Sequence, residues 1–168
     1  MTIGAVRPAT KGDIEWIASQ ERRPEFDSFV HRWSVEEHER NLDDSDKLYL
    51  IAFDESGLPL AFVILGGLSS KSRCIELVRM AVAQPGMGIG KLLLRTVIDK
   101  VFTEFGANRL WLDVFDDNHR ARHTYRSVGF QEEGVLREAA LKSNGKLGSL
   151  VIMSILAREY FESLNVRG

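Results

Sequence analysis

An apolar run, Met80-Ala81-Val82-Ala83, passes through Gln84-Pro85 into three alternating glycines, Gly86, Gly88 and Gly90, and then into Lys91-Leu92-Leu93-Leu94. That order reads as a strand, a tight turn and a helix. Glycine reaches positive φ and lets the backbone come close to a ligand, while the first amides of a helix have no partner inside it. A turn of this kind therefore cradles an anion, a phosphate above all. Two familiar phosphate loops do not fit. A Walker loop needs glycine where Pro85 stands and Ser or Thr where Leu92 stands, and the dinucleotide fingerprint needs a third glycine where Lys91 or Leu93 stands.

A second segment, Asn118-His119-Arg120-Ala121-Arg122-His123-Thr124-Tyr125, ends in Arg126-Ser127-Val128-Gly129-Phe130. On a helix, Asn118, Ala121, Arg122 and Tyr125 fall at i, i+3, i+4 and i+7 and share one face. That face is small, polar and aromatic, which suits a ligand with an amide-bearing arm and a reactive end beside a phenol. His119 and His123 are four apart, but they lack the H-E-x-x-H glutamate and any cysteine cluster, so no metal site is expected.

The turn Gly88-Ile89-Gly90-Lys91, followed by Asn118, Ala121, Tyr125 and the Gly129-Phe130 pair, resembles the GNAT superfamily of acetyl-CoA-dependent N-acetyltransferases in order and spacing. The resemblance spans residues 48–157, with a weaker echo before it. The runs Glu133-Gly134-Val135-Leu136-Arg137-Glu138 and Leu150-Val151-Ile152-Met153-Ser154-Ile155-Leu156 look like the ribosomal-protein N-terminal acetyltransferase branch. Two positions depart from the pattern. Pro85 stands where the family usually has Arg or Gln, which shifts phosphate binding toward backbone amides, and Ser149 stands where that branch commonly has an acid.

The resemblance implies an α/β (α+β) GNAT fold: a mixed, mostly antiparallel sheet of about six to seven strands with a central splayed parallel pair, flanked by about four helices. It also implies acetyl-CoA as donor and Tyr125 as the group that stabilises or protonates the departing coenzyme A thiolate. Met80, Ala81 and Val82 are expected to offer backbone groups to the pantetheine amides. Met87, Gly88, Ile89, Gly90, Lys91 and Leu92 are expected to hold the diphosphate, and Asn118, Ala121, Arg122 and Tyr125 to line the cofactor.

An amine acceptor has an unperturbed pKa of about 10.4, so acyl transfer needs a proton acceptor. Glu76 on the strand entering the glycine turn is the first candidate for general base, and Glu133 the second. The competing reading for a strand glutamate is simple solvent exposure. Tyr125 has a competing role as a half-buried packing residue, and Arg79 as a structural ion-pair partner.

At 168 residues, 44% hydrophobic and 27% charged, the chain is expected to form one domain over residues 1–168. A net charge of −2 gives no general attraction to nucleic acid or anionic membrane, and no run approaches a spanning helix. Cys74 is alone, which fits a reducing, cytoplasmic setting, and nothing adjacent makes it a nucleophile.

Strands are expected at residues 3–7, 47–54, 60–68, 73–82, 109–115, 130–138 and 147–156, the second to fourth as an antiparallel meander. Helices are expected after the capping signals Thr10/Asp13 and Ser34/Glu37, after the glycine turn and over the Asn118 segment. The strand, helix and strand from residue 73 to 115 imply a parallel pair with a crossover. The acceptor pocket falls around residues 26–33 and 141–147, with Glu25, Asp27, Glu36 and Glu37 as acids beside it. Its acceptor stays open between a protein N-terminus and a small-molecule amine. A non-catalytic acyl-CoA-binding module is the alternative function, and a homodimer is favoured only by the general frequency of such assemblies.

Overall fold

The computed structural model of the chain describes residues 2–24 and 32–165. In chain order the strands are β1 (Ala5–Pro8), β2 (Leu48–Phe53), β3 (Pro59–Gly66), β4 (Cys74–Val82), β5 (Arg109–Phe115), β6 (Gln131–Leu141) and β7 (Leu147–Leu156). The α-helices are α1 (Ile14–Glu21), α2 (Val35–Leu42), α3 (Ile89–Thr103), α4 (His119–Arg126) and α5 (Ala157–Asn165). Among the described residues the strands form one seven-stranded sheet in the order β1-β2-β3-β4-β5-β7-β6.

Every neighbouring pair is antiparallel except β4 with β5. The parallel pair is joined through α3, as a crossover requires. It is also short, with partners only at Cys74↔Arg109, Ile75↔Leu110 and Glu76↔Trp111. Both strands run on past that point without pairing to each other. On its other side β4 carries a bulge: Ile64 faces Arg79 while Leu65 faces Leu77, so Val78 is the extra residue. A bulge bends its strand, and this one lies just beyond Glu76, where the pairing of β4 with β5 ends.

The bulge also resets which face each residue of β4 takes. Ile75 and Leu77 join the apolar cluster under α3, and so do Met80 and Val82, while Val78 and Ala81 belong to the cluster under α1 and α2. α3 buries Ile89, Leu93, Leu94, Val97, Ile98, Val101 and Phe102 against the sheet. Fully burying each such side chain contributes about 1.5–3 kcal/mol, so the helix behind the glycine turn is firmly seated.

The two capping signals act as expected. Asp13 accepts the Thr10 amide at 2.7 Å, and Ser34 exchanges bonds with Glu37 before α2. α5 was not expected; it follows β7 without a break, and Tyr160 stacks on Phe102 of α3 at 5.1 Å between ring centroids.

Candidate active site

The glycine turn follows β4 directly. Gly88 has φ +76 and precedes α3 with no side-chain cap, and the first amide bonded within the helix is that of Leu92, to Gly88 at 3.2 Å. The amides of Ile89, Gly90 and Lys91 thus face outward at a helix start that carries no acidic residue. Gly90 packs against the strand: a Cβ there would lie 3.2 Å from the Met80 methyl and 3.4 Å from a Val82 methyl. Met87 and Leu92 are exposed apolar side chains on either side of the turn, and Lys91 is half-buried between them.

The free edge of β4 is defined by its bonding to β3. Ala83 donates its amide to the Leu60 carbonyl at 2.7 Å. Because successive residues of a strand point their backbone groups to opposite sides, Ala81 also bonds toward β3, while Met80 and Val82 aim their amide and carbonyl groups into the gap beside β5. The sequence expectation treats the three alike; their backbone directions separate them.

α4 borders the same gap. Asn118 caps it, its side-chain oxygen accepting the Ala121 amide at 3.2 Å, and the end closes through Gly129 at φ +112. Ala121 and Tyr125 pack on the apolar cluster that also receives Met80 and Val82. The Tyr125 ring lies 5.6 Å from that of Phe130. Burial, reinforced by the nearby Asp113 carboxylate, pushes the Tyr125 phenol up to about 12.

Arg122 is committed elsewhere. It bonds Glu132 at 3.0 Å and the Asp116 carbonyl at 2.6 Å, which braces α4 against β6. Of the two cations expected near the phosphates, Lys91 is the one on the helix start.

Glu76 occupies the last position of β4 that pairs with β5, opposite Trp111, where the gap opens. Burial and the charge of Asp113 raise its carboxyl above the ordinary value. Asp113 sits two residues beyond Trp111 on the same face of β5, and its own carboxyl is raised by burial. It is the residue that sequence reasoning missed, although the alternation of Leu110, Leu112 and Val114 already turned it away from the core.

Glu133, the second candidate base, is otherwise engaged. Arg109 pairs with both of its carboxylate oxygens and Ser154 donates to one at 2.6 Å, which together lower it to about 2. A carboxylate held so low is a poor proton acceptor, so this candidate is withdrawn.

The acceptor-side expectations lie partly outside the described residues, Glu25 and Asp27 among them. The described residues on either side are well fixed. Glu21 is fully buried and takes Arg79 at 2.7 Å, the Trp33 amide at 3.2 Å and lies 3.3 Å from His38. Burial works to raise the Glu21 carboxyl, but His38 and Arg79 outweigh it and the net shift is downward. Arg79 also lies over the Trp33 ring at 4.0 Å, so it is the structural partner the sequence allows. Arg23 donates to the Val82 carbonyl at 3.0 Å and to that of Ala83, a contact across 59 residues of sequence that no local pattern signals.

His119 and His123 are exposed, and no group of three or more metal-binding side chains is found among the described residues. Among the described residues no helix is long and apolar enough to cross a membrane.

Comparison with known proteins adds three relationships. The chain is 34% identical over 89 residues to streptothricin acetyltransferase of Streptomyces lavendulae, a match that spans 52% of this chain and 47% of that protein. It is 24% identical over 168 aligned residues to spermidine N(1)-acetyltransferase of Vibrio cholerae serotype O1, covering 92% of this chain and 94% of the other. The crystal structure of spermidine N-acetyltransferase from Vibrio cholerae in complex with CoA and spermine superimposes with a TM-score of 0.84 at 24% identity, over 94% of this chain and 97% of that one. The family model described as acetyltransferase (GNAT) family matches residues 14–130. With that match laid over the splayed strand pair and glycine turn, the chain belongs to the acetyltransferase (GNAT) family, and it is an acetyl-CoA-dependent N-acetyltransferase.

Proposed function

We propose that this enzyme acetylates a small cationic amine, of the polyamine kind, by direct transfer, with Glu76 and Tyr125 as its catalytic residues. The observation that carries the proposal is the gap beside β4, which presents the backbone groups of Met80 and the amide of Val82 and ends at the amides of Ile89, Gly90 and Lys91, which have no partner among the described residues. An extended thioester carrier fits there as a substitute strand, its diphosphate on the helix start and its acyl group toward Glu76 and Tyr125. Lys91 and the Asn118 amide add polar contacts along its path.

In the reaction, the amine nitrogen attacks the thioester carbonyl, the carbon–sulfur bond breaks and coenzyme A leaves as its thiolate. Glu76, acting through water, takes the amine proton. A simple thiol has a pKa of about 8.5, well below the Tyr125 phenol, so a full proton transfer from Tyr125 is uphill. Its contribution is a hydrogen bond to the sulfur as negative charge develops there.

The acceptor class follows from charge. Among the described residues neither Glu76 nor Asp113 forms an ion pair, so two carboxylates lie at the opening where an ammonium would enter. The relatives named for spermidine and streptothricin act on small amines, and Ser149 removes the acid common in the peptide-acetylating branch. The lone, free Cys74 agrees with a cytoplasmic setting.

The test is thiol release from acetyl-CoA with spermidine, an aminoglycoside-like amine and a peptide N-terminus as acceptors. Release is expected with spermidine and not with the peptide. Acetyl-CoA binding with no release for any amine would instead make the chain a binding module.

A further inference from the structure

The C-terminal end of α1 and the two residues after it are fastened to β4 at two points, and these bracket Met80, Ala81 and Val82. At the first, buried Glu21 holds Arg79 at 2.7 Å. At the second, a guanidinium nitrogen of Arg23 donates to the carbonyls of Val82 and Ala83 and to the Gln20 side chain at 3.0 Å. The Val82 carbonyl is one of the groups that β4 turns into the gap, so Arg23 stands at the mouth of the slot.

We propose that Arg23 is a positioning residue for the acyl donor, fixing the peptides of Val82 and Ala83 so that the edge receiving the donor stays in register with the glycine turn. The inference rests on reading the gap as the donor slot. β4 has lost its neighbour beyond Glu76, so its outward carbonyls need a donor, and a charge-assisted bond from arginine is the stronger kind. The next two residues, Gln84 and Pro85, supply no equivalent: proline has no amide hydrogen, and Gln84 is exposed. Arg23 also lies two residues beyond the fully buried Glu21, so its anchor is stiff. A slot edge held in this way acts on donor binding rather than on the chemical step.

Calorimetry of acetyl-CoA on the unaltered enzyme comes first, because no heat of association there would remove the slot reading itself. With that binding established, Arg23→Ala should raise KM for acetyl-CoA about tenfold while kcat stays within about twofold, the loss of roughly one charged hydrogen bond. Arg23→Gln, which keeps an N–H donor, should recover part of the loss. S-acetylpantetheine, which lacks the diphosphate, should show the same fold-rise, because Arg23 acts through the strand. An unchanged KM, a loss confined to kcat, or a rise seen only with the diphosphate-bearing donor overturns the proposal. Should Arg23→Ala fail to fold by thermal melting, Arg23→Gln is judged by the same three criteria.

Discussion

Burial beside Asp113 raises both Glu76 and Tyr125, and the same shift has opposite uses in the two side chains. A raised carboxyl is a better proton acceptor, whereas a raised phenol keeps its hydrogen at every working pH and remains a donor. Because the base must be ionised, activity should climb as pH rises through the Glu76 value, with a midpoint above that of an ordinary glutamate. Glu76→Gln is expected to lower kcat by about 10²-fold or more and to abolish that limb of the profile. Asp113→Asn removes the charge that helps raise Glu76, so the limb should move to lower pH. Tyr125→Phe keeps the ring against Phe130 but loses the hydrogen bond to sulfur, and a kcat fall of about 10²-fold with donor affinity retained is the expected outcome. Equal turnover by Tyr125→Phe and the unaltered enzyme in stopped-flow thiol release would remove Tyr125 from the mechanism.

The glycine turn is where an element's geometry can be tested separately from its chemistry. A Cβ on Gly88 meets nothing within 4 Å, so Gly88→Ala acts only through the backbone, at φ +76. The left-handed conformation costs an L-residue about 1–2 kcal/mol, which thermal melting should register together with weakened acetyl-CoA binding. Gly90→Ala should behave differently, since its methyl would touch Val82 at 3.4 Å and push the flexible end of Met80, now 3.2 Å away, aside by a few tenths of an ångström. These elements were legible because their signals are local. β5 has the expected bounds of residues 109–115, and α4 lies between the Asn118 cap and Gly129 as its spacing indicates. Other features depend on partners distant in sequence. The Val78 bulge leaves the burial alternation of β4 unbroken because both faces of that strand are covered, so nothing in the sequence marks the extra residue. α5 repeats the helical spacing of α3 in Tyr160, Phe161 and Leu164, but over too few turns to separate from the strand before it. Asp113 was readable as outward-facing, yet its nearness to Glu76 and Tyr125 exists only once β4 and β5 pair.

Across the whole molecule, the two outermost strands of the sheet are each tied by an acid held far below its ordinary range. At one edge, Arg7 of β1 pairs with Asp13 at 2.8 Å and 3.0 Å, and with Thr10 holds that carboxyl at about 2. At the other, Glu133 of β6 reaches across β7 to Arg109 of β5 and Ser154, and also sits at about 2. Both values are lowered in the folded chain, so between them and the unfolded values the unfolded state binds more protons. The stability they contribute is complete above about pH 5 and is lost as pH falls from about 4 toward 2. Both pairs are partly open to solvent, which limits their strength. Their position nevertheless determines where acid acts first. The interior strand β3 depends on apolar burial that does not titrate, whereas β1 and β6 lose a fastening. Amide hydrogen exchange followed from pH 6 to pH 3, after correction for intrinsic rates, should therefore show protection falling in β1 and β6 before β3. Arg109→Ala should erase the pH dependence of β6 alone, with β6 already weakly protected at pH 6. If β3 opened as early as β6, acid unfolding would be governed by the buried Glu21, His38 and Arg79 cluster rather than by the edges of the sheet.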